Sequence, residues 1–385
     1  MNVKSAKKPD KRVDIGYNST LEIQMYGYDN LYPQHLQAIT SASGTAELCL
    51  SRYSQFVEGN GFLDVATAMY TINRAGHTTD DLLRSCADDL TRYGGFALHV
   101  NYNVLGEIVE VQNIPFEQVR LKEQDADGYV SKVVVHPDWS EKTHRNGTLL
   151  RVTKQTVEEF NVFNPNKSVV QAQILACGGV EYYNGQVLYV SLAGGLNYPV
   201  PRYDSVVTEM STDEGLSNVK NRNVRNNFLT SCMMVARKSM YIDDNGQEQD
   251  REMISPEDLK AFQGDTNAGK MLYVEIENDE DEPKVIELPV KNYDKDFTAT
   301  EASTVERIYA QFHQEIFYAV RIGKLGFSGD VMREAYEYYA GQVTTEQRVI
   351  QRAMERVFDA WHDKSVALNF AIEPLKYVSV NANKG

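Results

Sequence analysis

A long polar segment, residues 204–229, constrains the fold of this chain more than any other stretch. It contains no proline and one glycine, so the sequence predicts one continuous helix from Asp204 to Leu229. Asparagines crowd its second half, together with the basic residues Lys220, Arg222 and Arg225. A helix that is polar on every face is unstable alone unless it spans solvent or packs against copies of itself. The segment therefore points to an oligomer.

The first half of the chain shows two different patterns. From Tyr28 to Tyr93 the apolar spacing predicts helices over Leu31–Leu50 and Thr79–Tyr93, separated by a glycine turn. From about residue 95 to residue 192, short β-rich runs between turn signals predict an antiparallel β domain. These runs are Phe96–Asn101, Glu107–Gln112, Tyr129–His136, Leu149–Val152, Val169–Leu175 and Gln186–Ser191.

Two further helices and a glycine-rich loop are predicted near the end of the chain. Thr298–Glu301 matches a capping box at the start of a helix over Thr300–Ile322. A second helix is predicted from Asp330 to about His362, which is roughly 50 Å at 1.5 Å per residue. Between them, Gly323–Gly329 holds three glycines in seven residues and predicts a mobile loop or tight reversals. Helices of this length are typical of architecture rather than of an enzyme core.

One segment, Gly264–Lys270, matches the phosphate-binding pattern GxxxxGK. Met271 stands where Ser or Thr would hold magnesium, and the predicted order of elements is reversed. Ser255–Asp258 is a helix start, the predicted helix Pro256–Gln263 ends at Gly264, and a strand follows over Met271–Glu277. We interpret the match as a helix cap and turn. An ATP-using packaging or remodelling enzyme built on it is the alternative hypothesis.

Composition excludes several classes of protein. The chain has 385 residues, 39 Lys plus Arg and 54 Asp plus Glu, giving a net charge of −15. That balance argues against a binder whose affinity comes from a cationic face on phosphates. No apolar run approaches the roughly 18 residues of a membrane span, and Met1–Arg12 lacks the apolar region of a secretory signal.

The cysteines and histidines predict neither a disulfide framework nor a metal site. The cysteines are far apart, which fits buried free thiols in a reducing compartment. They are Cys49, Cys86, Cys177 and Cys232. The seven histidines form no HxH, HExxH or HxxxH pair. No cofactor, metal or catalytic residue is therefore expected.

The order of these elements resembles the portal proteins of tailed bacteriophages over most of the chain. Gln186–Ser191 looks like the strand before the family's first stem helix, and Asn226–Val235 resembles the exit from that helix into an apolar strand. Ser255–Val274 is similar to the helix and Asn-Ala-Gly-Lys strand of the clip. The segments Gln314–Phe317, Tyr28–Pro33 and Val57–Phe62 also resemble portal sequences. The usual Val-Pro after the second stem helix is replaced by Ala319–Gly323, which contains no proline.

The resemblance implies an α+β portal fold with wing, stem, clip and a minimal crown. Its parts would be the wing over 1–202, the first stem helix over 203–230, the clip over 231–297, the second stem helix over 298–322, the tunnel loop over 323–329, a long wing helix over 330–365 and a C-terminal wing or crown segment over 366–385. The family's function implies a non-enzymatic ring of about twelve subunits at one capsid vertex, assembled in the host bacterial cytoplasm. Double-stranded DNA would pass through it during packaging and ejection. The implied partners are the major capsid protein, the terminase large subunit and head-completion or adaptor proteins, with no membrane.

Three groups of residues are the predicted sites of such a ring. Lys324, Leu325 and Phe327 in the loop are candidates to touch DNA; the alternative is that the loop only reverses the chain and packs between subunits. Lys220, Arg222 and Arg225 would belong to the stem. The acidic run is either a solvated hairpin tip or a docking patch for a basic motor surface. Its members are Asp279, Glu280, Asp281 and Glu282.

Overall fold

The protein is an α+β molecule, seen here in a computed structural model. The model describes residues 15–125, 128–141, 151–225, 233–237, 241–242, 248–249, 272–276, 293–365 and 367–378. The helices are α1 Tyr32–Ala42, α2 Gly44–Glu58, α3 Val65–Ala68, α4 Thr79–Tyr93, α5 Lys167–Ala176, α6 Val207–Arg225, α7 Tyr293–Gln311, α8 Glu315–Arg321, α9 Gly329–Gln342 and α10 Thr344–Phe358. The strands are β1 Tyr17–Asn18, β2 Ile23–Gln24, β3 Gly95–Tyr102, β4 Ile108–Ile114, β5 Val119–Leu121, β6 Lys132–Val135, β7 Glu158–Val162, β8 Gln186–Ser191, β9 Met233–Arg237, β10 Tyr241–Ile242, β11 Glu248–Gln249 and β12 Leu272–Ile276.

Local capping signals set the bounds of the N-terminal helices. Helix α4 has the predicted bounds because Thr78 and Asp81 form a reciprocal capping box at its start. Gly94 ends it in the left-handed conformation. The prediction of one helix over Leu31–Leu50 is wrong, since the chain breaks at Ser43 between α1 and α2. There the Ser43 hydroxyl accepts a hydrogen bond from the amide of Ala46 and begins α2.

The central sheet has six strands in the order β4-β3-β8-β7-β6-β5. Its pairs are antiparallel except β7 and β8, which run parallel, so the predicted purely antiparallel domain is wrong in this one pairing. The strand predicted over Gln186–Ser191 is confirmed with its exact bounds. It lies in the middle of the sheet, and its side chains are buried or half-buried.

One predicted strand is a helix. Residues 169–175 belong to α5, where the Asn166 side chain caps the first turn by accepting from the amide of Ser168. Val170 and Ile174, four residues apart, are the buried side chains of this helix. An apolar run with that spacing is compatible with one face of a helix as well as with a strand. The Asn166 cap stabilises the helix. The predicted run Leu149–Val152 forms no strand at 151–152, and 149–150 lie outside the described residues.

Both long helices predicted near the end of the chain are interrupted. The helix predicted over Thr300–Ile322 begins earlier, at Tyr293, and breaks at 312–314 before α8, where His313 has a φ of 56°. Thr298 therefore lies inside a helix, and the capping-box prediction is wrong. The helix predicted from Asp330 to His362 is two helices, α9 and α10, divided at the buried Val343.

The strand predicted over Met271–Glu277 is observed as Leu272–Ile276, and the apolar strand that the resemblance implies after the first stem helix is observed as Met233–Arg237. Met233–Arg237 and Leu272–Ile276 pair in parallel. The predicted helix Pro256–Gln263, the segment Gly264–Lys270 and Cys232 lie outside the described residues. Elsewhere, Cys49 and Cys86 are buried free thiols as predicted, whereas Cys177 is exposed.

The C-terminal segment closes the helical side of the core. Residues 370–373 run beside the turn after α2, where Ile372 forms an isolated antiparallel bridge with Phe62. The amide of Asn60 donates to the Glu373 carbonyl at 2.8 Å, and the Glu373 amide donates to the Gly61 carbonyl at 2.9 Å. The ring of Phe370 packs edge-on against Phe62. The C-terminal segment, residues 370–373, is thereby hydrogen-bonded to the turn that follows α2.

Arg120, in strand β5, is a completely buried cation that holds the N-terminal segment to the sheet. Its guanidinium donates to the Asn30 side chain at 2.7 Å, to the Asn30 carbonyl at 2.6 Å and to the carbonyls of Glu117 and Val119. It also lies 5.0 Å from the centre of the Trp139 ring. Burial lowers the pKa of Arg120 to about 10, so it stays charged at neutral pH.

Candidate functional site: a helix pair and an exposed glycine loop

Helices α6 and α7 form an antiparallel pair whose two halves differ in burial. In the half nearer the core, Met210 and Ile308 are fully buried. Arg307 reaches Glu209 at 3.2 Å. Beyond Asp213, none of the α6 side chains that the structure describes, residues 214–221, is buried. The expectation of a polar helix without a core of its own is confirmed for this outer half.

Lys220 is held against α7 in the outer half of the pair. Its ammonium lies 2.5 Å from a carboxylate oxygen of Glu301 and 5.7 Å from the centre of the Phe297 ring. An ion pair at this degree of exposure contributes less than about 1 kcal/mol, so it orients the lysine without anchoring the helix. Arg222 and Arg225 follow in the last turn of α6. The three basic residues therefore share the outer end of the helix.

The glycine loop, residues 323–329, connects α8 to α9 and is exposed throughout. Gly323 adopts a φ of 75°, and the Leu325 amide donates to the Ala319 carbonyl at 3.1 Å. At the other end, the Ser328 hydroxyl caps α9. Phe327 is 77% exposed and Leu325 is 41% exposed. The backbone of the loop is thus hydrogen-bonded at both ends, and the side chains of Leu325 and Phe327 are exposed.

A buried glutamine at the break between α7 and α8 supports the loop. Gln314 donates from Nε2 to the Cys49 carbonyl at 2.8 Å and to the Tyr339 hydroxyl at 2.9 Å. Its Oε1 accepts from the Arg52 guanidinium at 2.9 Å. This single side chain connects α8 with α2 and α9, and it is completely buried. The start of α8 is therefore fixed by groups that lie far away in the sequence.

An aromatic cluster completes the support. Phe317 of α8 packs edge-on against Tyr339 with centroids 5.8 Å apart and lies 6.1 Å from Phe56. The Arg52 guanidinium lies 4.5 Å from the centre of the Phe317 ring. Arg321, at the end of α8, donates to the Tyr309 hydroxyl at 2.9 Å. The helix before the glycine loop is consequently held on two sides.

A second buried polar group links the helix pair to α10. Glu346 is completely buried, and its Oε1 accepts from the Tyr53 hydroxyl at 2.9 Å and from the Arg202 guanidinium at 2.6 Å. Burial raises the pKa of Tyr53, so its hydroxyl remains a donor. Gln311, the last residue of α7, donates to the Arg202 carbonyl at 2.5 Å. Arg202, just before α6, therefore contacts both the end of α7, through its carbonyl, and Glu346 at the start of α10, through its guanidinium.

A groove of about 600 Å³, lined mostly by polar side chains, lies beside α4 and β4. The two arginines that line it are paired: Arg74 lies 3.0 Å from Glu110, and Arg84 lies 3.0 Å from Glu58. Within the described ranges, no three His, Cys, Asp or Glu side chains come together as a metal site would require. No described helix is long and apolar enough to cross a membrane.

The predicted site residues fall in separate places. Lys220 contacts the first half of α7, whereas Lys324, Leu325 and Phe327 lie beyond the end of α8. The acidic run 279–282 is outside the described residues. The supporting residues Gln314 and Glu346 were not predicted. The apolar spacing from Phe312 to Ile316 is that of an unbroken helix, so nothing local marked Gln314 as a buried contact.

The chain was compared with known proteins at the level of family, sequence and structure. No protein-family model matches it, and no curated protein matches its sequence. Solved structures do match. A chain in the neck of a native gene transfer agent particle, computed with C12 symmetry, is 12% identical, with a TM-score of 0.49 over 86% of this chain and 81% of that chain.

Two further matches come from the same kind of particle. A chain in the virion of a native gene transfer agent is 12% identical, with a TM-score of 0.49 over 91% of this chain and 84% of that chain. A chain in the neck of an empty particle, computed with C6 symmetry, is 12% identical, with a TM-score of 0.48 over 86% and 82%. The structural neighbours are therefore neck and virion components of gene transfer agent particles, similar over most of both chains at low identity.

Proposed function

We propose that this protein is a portal-type subunit that forms a ring, most simply of twelve copies, around a channel for double-stranded DNA. The observation that carries the proposal is the glycine loop, whose residues are all exposed and include Lys324 and a 77% exposed Phe327, next to a helix start fixed by the completely buried Gln314. Phe327 and Leu325 expose apolar side chains within the same short loop. In a ring, the same loop repeats at one level and either lines the channel or contacts a neighbour.

The helix pair supports the same proposal. Its inner half is buried in the core, and the described α6 side chains of its outer half, residues 214–221 with Lys220, are not buried by the rest of the described chain. Packing against other copies would cover them. In this proposal α6 and α7 form the stem, residues 231–297 the clip, and residues 1–202 with the C-terminal helices the wing. The breaks at 312–314 and Val343 replace the long straight helices that were expected.

The charge of the chain fits a conduit rather than a gripping surface. At −15 per subunit the protein repels phosphate except where basic side chains are placed. Tight counterion-releasing contacts would hold the DNA in place and oppose its movement. In the proposed particle the ring sits at a capsid vertex, and the major capsid protein, the terminase large subunit and head-completion proteins bind around it. The acidic run 279–282 is the proposed docking patch for the motor.

Native mass spectrometry of the full chain tests the ring. We expect an assembly of about twelve subunits, with neighbouring sizes in the absence of capsid. A protein that remains monomeric at micromolar concentrations across a range of salt would contradict the proposal. Hydrolysis of ATP by the wild type that is lost in Lys270→Ala would instead favour the alternative of a packaging enzyme.

DNA packaged per prohead tests the loop. Lys324→Glu should reduce packaging or retention while rings still form, because a carboxylate near the DNA repels phosphate at short range. Phe327→Ala removes the exposed ring of the loop and should also reduce packaging or retention while rings still form. Lys324→Arg keeps the charge and is the control for the first variant. Tyr182→Ala, which removes a 74% exposed ring elsewhere, is the control for the second. Normal packaging by both loop variants would assign the loop to chain reversal and subunit packing.

A further inference from the structure

Helix α9 carries an acidic stripe on its solvent face. Asp330, Glu334 and Glu337 are spaced i, i+4 and i+7 and are all exposed. They cover about 10 Å of the helix at 1.5 Å per residue. Arg333 lies 3.4 Å from Asp330 and partly neutralises it. Glu334 and Glu337 have no ion-pair partner among the described residues.

Helix α10 carries a basic stripe of matching length. Arg348, Arg352 and Arg356 are spaced i, i+4 and i+8 and are exposed, which extends about 12 Å along the axis. Glu355 is exposed on the same helix, and Asp359 is exposed at the C-cap that follows it. Within the described part of the chain, none of the three arginines lies within 4.0 Å of a carboxylate. The buried side chains of the helix, such as Ile350 and Met354, hold it to the core.

Such a stripe has an energetic cost in the isolated chain. Like charges four residues apart on a helix repel and destabilise it. The chain has 54 Asp plus Glu against 39 Lys plus Arg, yet these three arginines are not paired with carboxylates of the described residues. Arg356 also lies 5.6 Å from the centre of the Phe163 ring, which holds one guanidinium in place at the surface. The arrangement is typical of a surface completed by an acidic partner.

We propose that the acidic stripe of α9 in one subunit docks on the arginine stripe of α10 in the next. The inference rests on the proposed ring, in which each subunit offers one surface to its left and a different one to its right. The two stripes are opposite in sign and nearly equal in length. The contact offsets locally the repulsion between neighbours that each carry −15. DNA is the other polyanion that arginines bind, but it leaves the acidic stripe without a partner.

Charge reversal in the full chain tests the pairing. The basic-stripe variant is Arg348→Glu with Arg352→Glu, and the acidic-stripe variant is Glu334→Lys with Glu337→Lys. Each variant alone replaces attraction by repulsion at every contact in the ring. We expect subunit affinity to fall at least about tenfold in each, with monomers at concentrations where the wild type forms rings. Circular dichroism and melting temperature, close to those of the wild type, verify that both variants fold.

The decisive measurement is an equimolar mixture of the two variants. In the mixture every contact can again join opposite charges, provided that the two kinds of subunit alternate. Native mass spectrometry should then show rings with even numbers of subunits and equal amounts of each variant. Restored assembly should weaken as salt rises, because exposed ion pairs are screened.

Other outcomes separate the failure of the pairing from the failure of the ring. Wild-type protein that never assembles contradicts both proposals. If either variant alone forms rings as readily as the wild type, the proposed pairing of the stripes is wrong, and the proposal of a ring is unaffected. Folded variants that stay monomeric when mixed also overturn the pairing. Intact rings of the basic-stripe variant with weakened DNA binding would assign the arginines to nucleic acid.

Discussion

Gln314→Ala should release helix α8 and the glycine loop from the core while the rest of the protein stays folded. The alanine removes three hydrogen bonds: two that Gln314 donates, to Cys49 and Tyr339, and one that it accepts from Arg52. All three partner groups lie around a side chain that solvent does not reach. The carbonyl, the hydroxyl and the guanidinium are then left without this partner.

The size of the effect follows from the chemistry of those groups. A neutral hydrogen bond contributes about 1 kcal/mol net, and one to a charged group about 1.5–3 kcal/mol. Water that enters the space left by the side chain recovers part of the loss. We expect the free energy of local opening to fall by about 3 kcal/mol. At 1.4 kcal/mol per factor of ten, this is about a 100-fold faster exchange of the affected amides.

Hydrogen–deuterium exchange of the amides that close α8 and the loop measures this opening. The amide of Tyr318 donates to the carbonyl of Gln314, and that of Leu325 to the carbonyl of Ala319. The control is Gln342→Ala, an exposed glutamine on α9, which should change stability by less than about 0.5 kcal/mol. Exchange at residues 318–325 within about threefold of the wild type would refute the role of Gln314. Equal acceleration across α4 would show global rather than local destabilisation.

Three further substitutions test other parts of the fold. Burial raises the pKa of Asp89 to about 8. The folded state therefore binds this proton more tightly than the unfolded state, and the free energy of unfolding falls as pH rises from about 4 to about 8, by at most about 1.4 kcal/mol per pH unit. The melting temperature of Asp89→Asn should fall less between pH 5 and pH 9 than that of the wild type. Gly59 has a φ of 68°, and a Cβ there would overlap the Glu373 carbonyl oxygen, so Gly59→Ala should release the C-terminal segment and increase its cleavage in limited proteolysis without changing the sheet. Arg120→Leu leaves buried carbonyl groups without a donor and should lower the free energy of unfolding by at least about 3 kcal/mol, measured by circular dichroism in denaturant; an unchanged midpoint would contradict the role assigned to this cation.

Local signals explain which elements were predicted correctly. The bounds of α4 follow from Thr78, Asp81 and Gly94, all within one turn of its ends. Strand β8 is an apolar run between turns, and its bounds were also exact. Each depends on residues adjacent in sequence, and propensity and capping act at that range. The α+β class follows from elements of this kind.

Long-range contacts explain what the sequence did not show. The break before α8 is stabilised by Gln314 with Arg52, which is 262 residues away. Glu346 meets Tyr53 across 293 residues. No periodicity or motif encodes which distant backbone group a glutamine will bind. The loop was visible as a cluster of glycines, and the residues that hold it in place became visible only in the folded chain.

The pairing of the C-terminal segment with the turn after α2 has a consequence for the synthesis of the protein. Phe62 and Ile372 form a bridge although they are 310 positions apart. At about 5–20 residues per second, roughly 15–60 s pass on the ribosome between the two. During that time the N-terminal helices lack the segment that covers Phe62. The surface around Phe62 is therefore completed only after residues 370–373 have been synthesised.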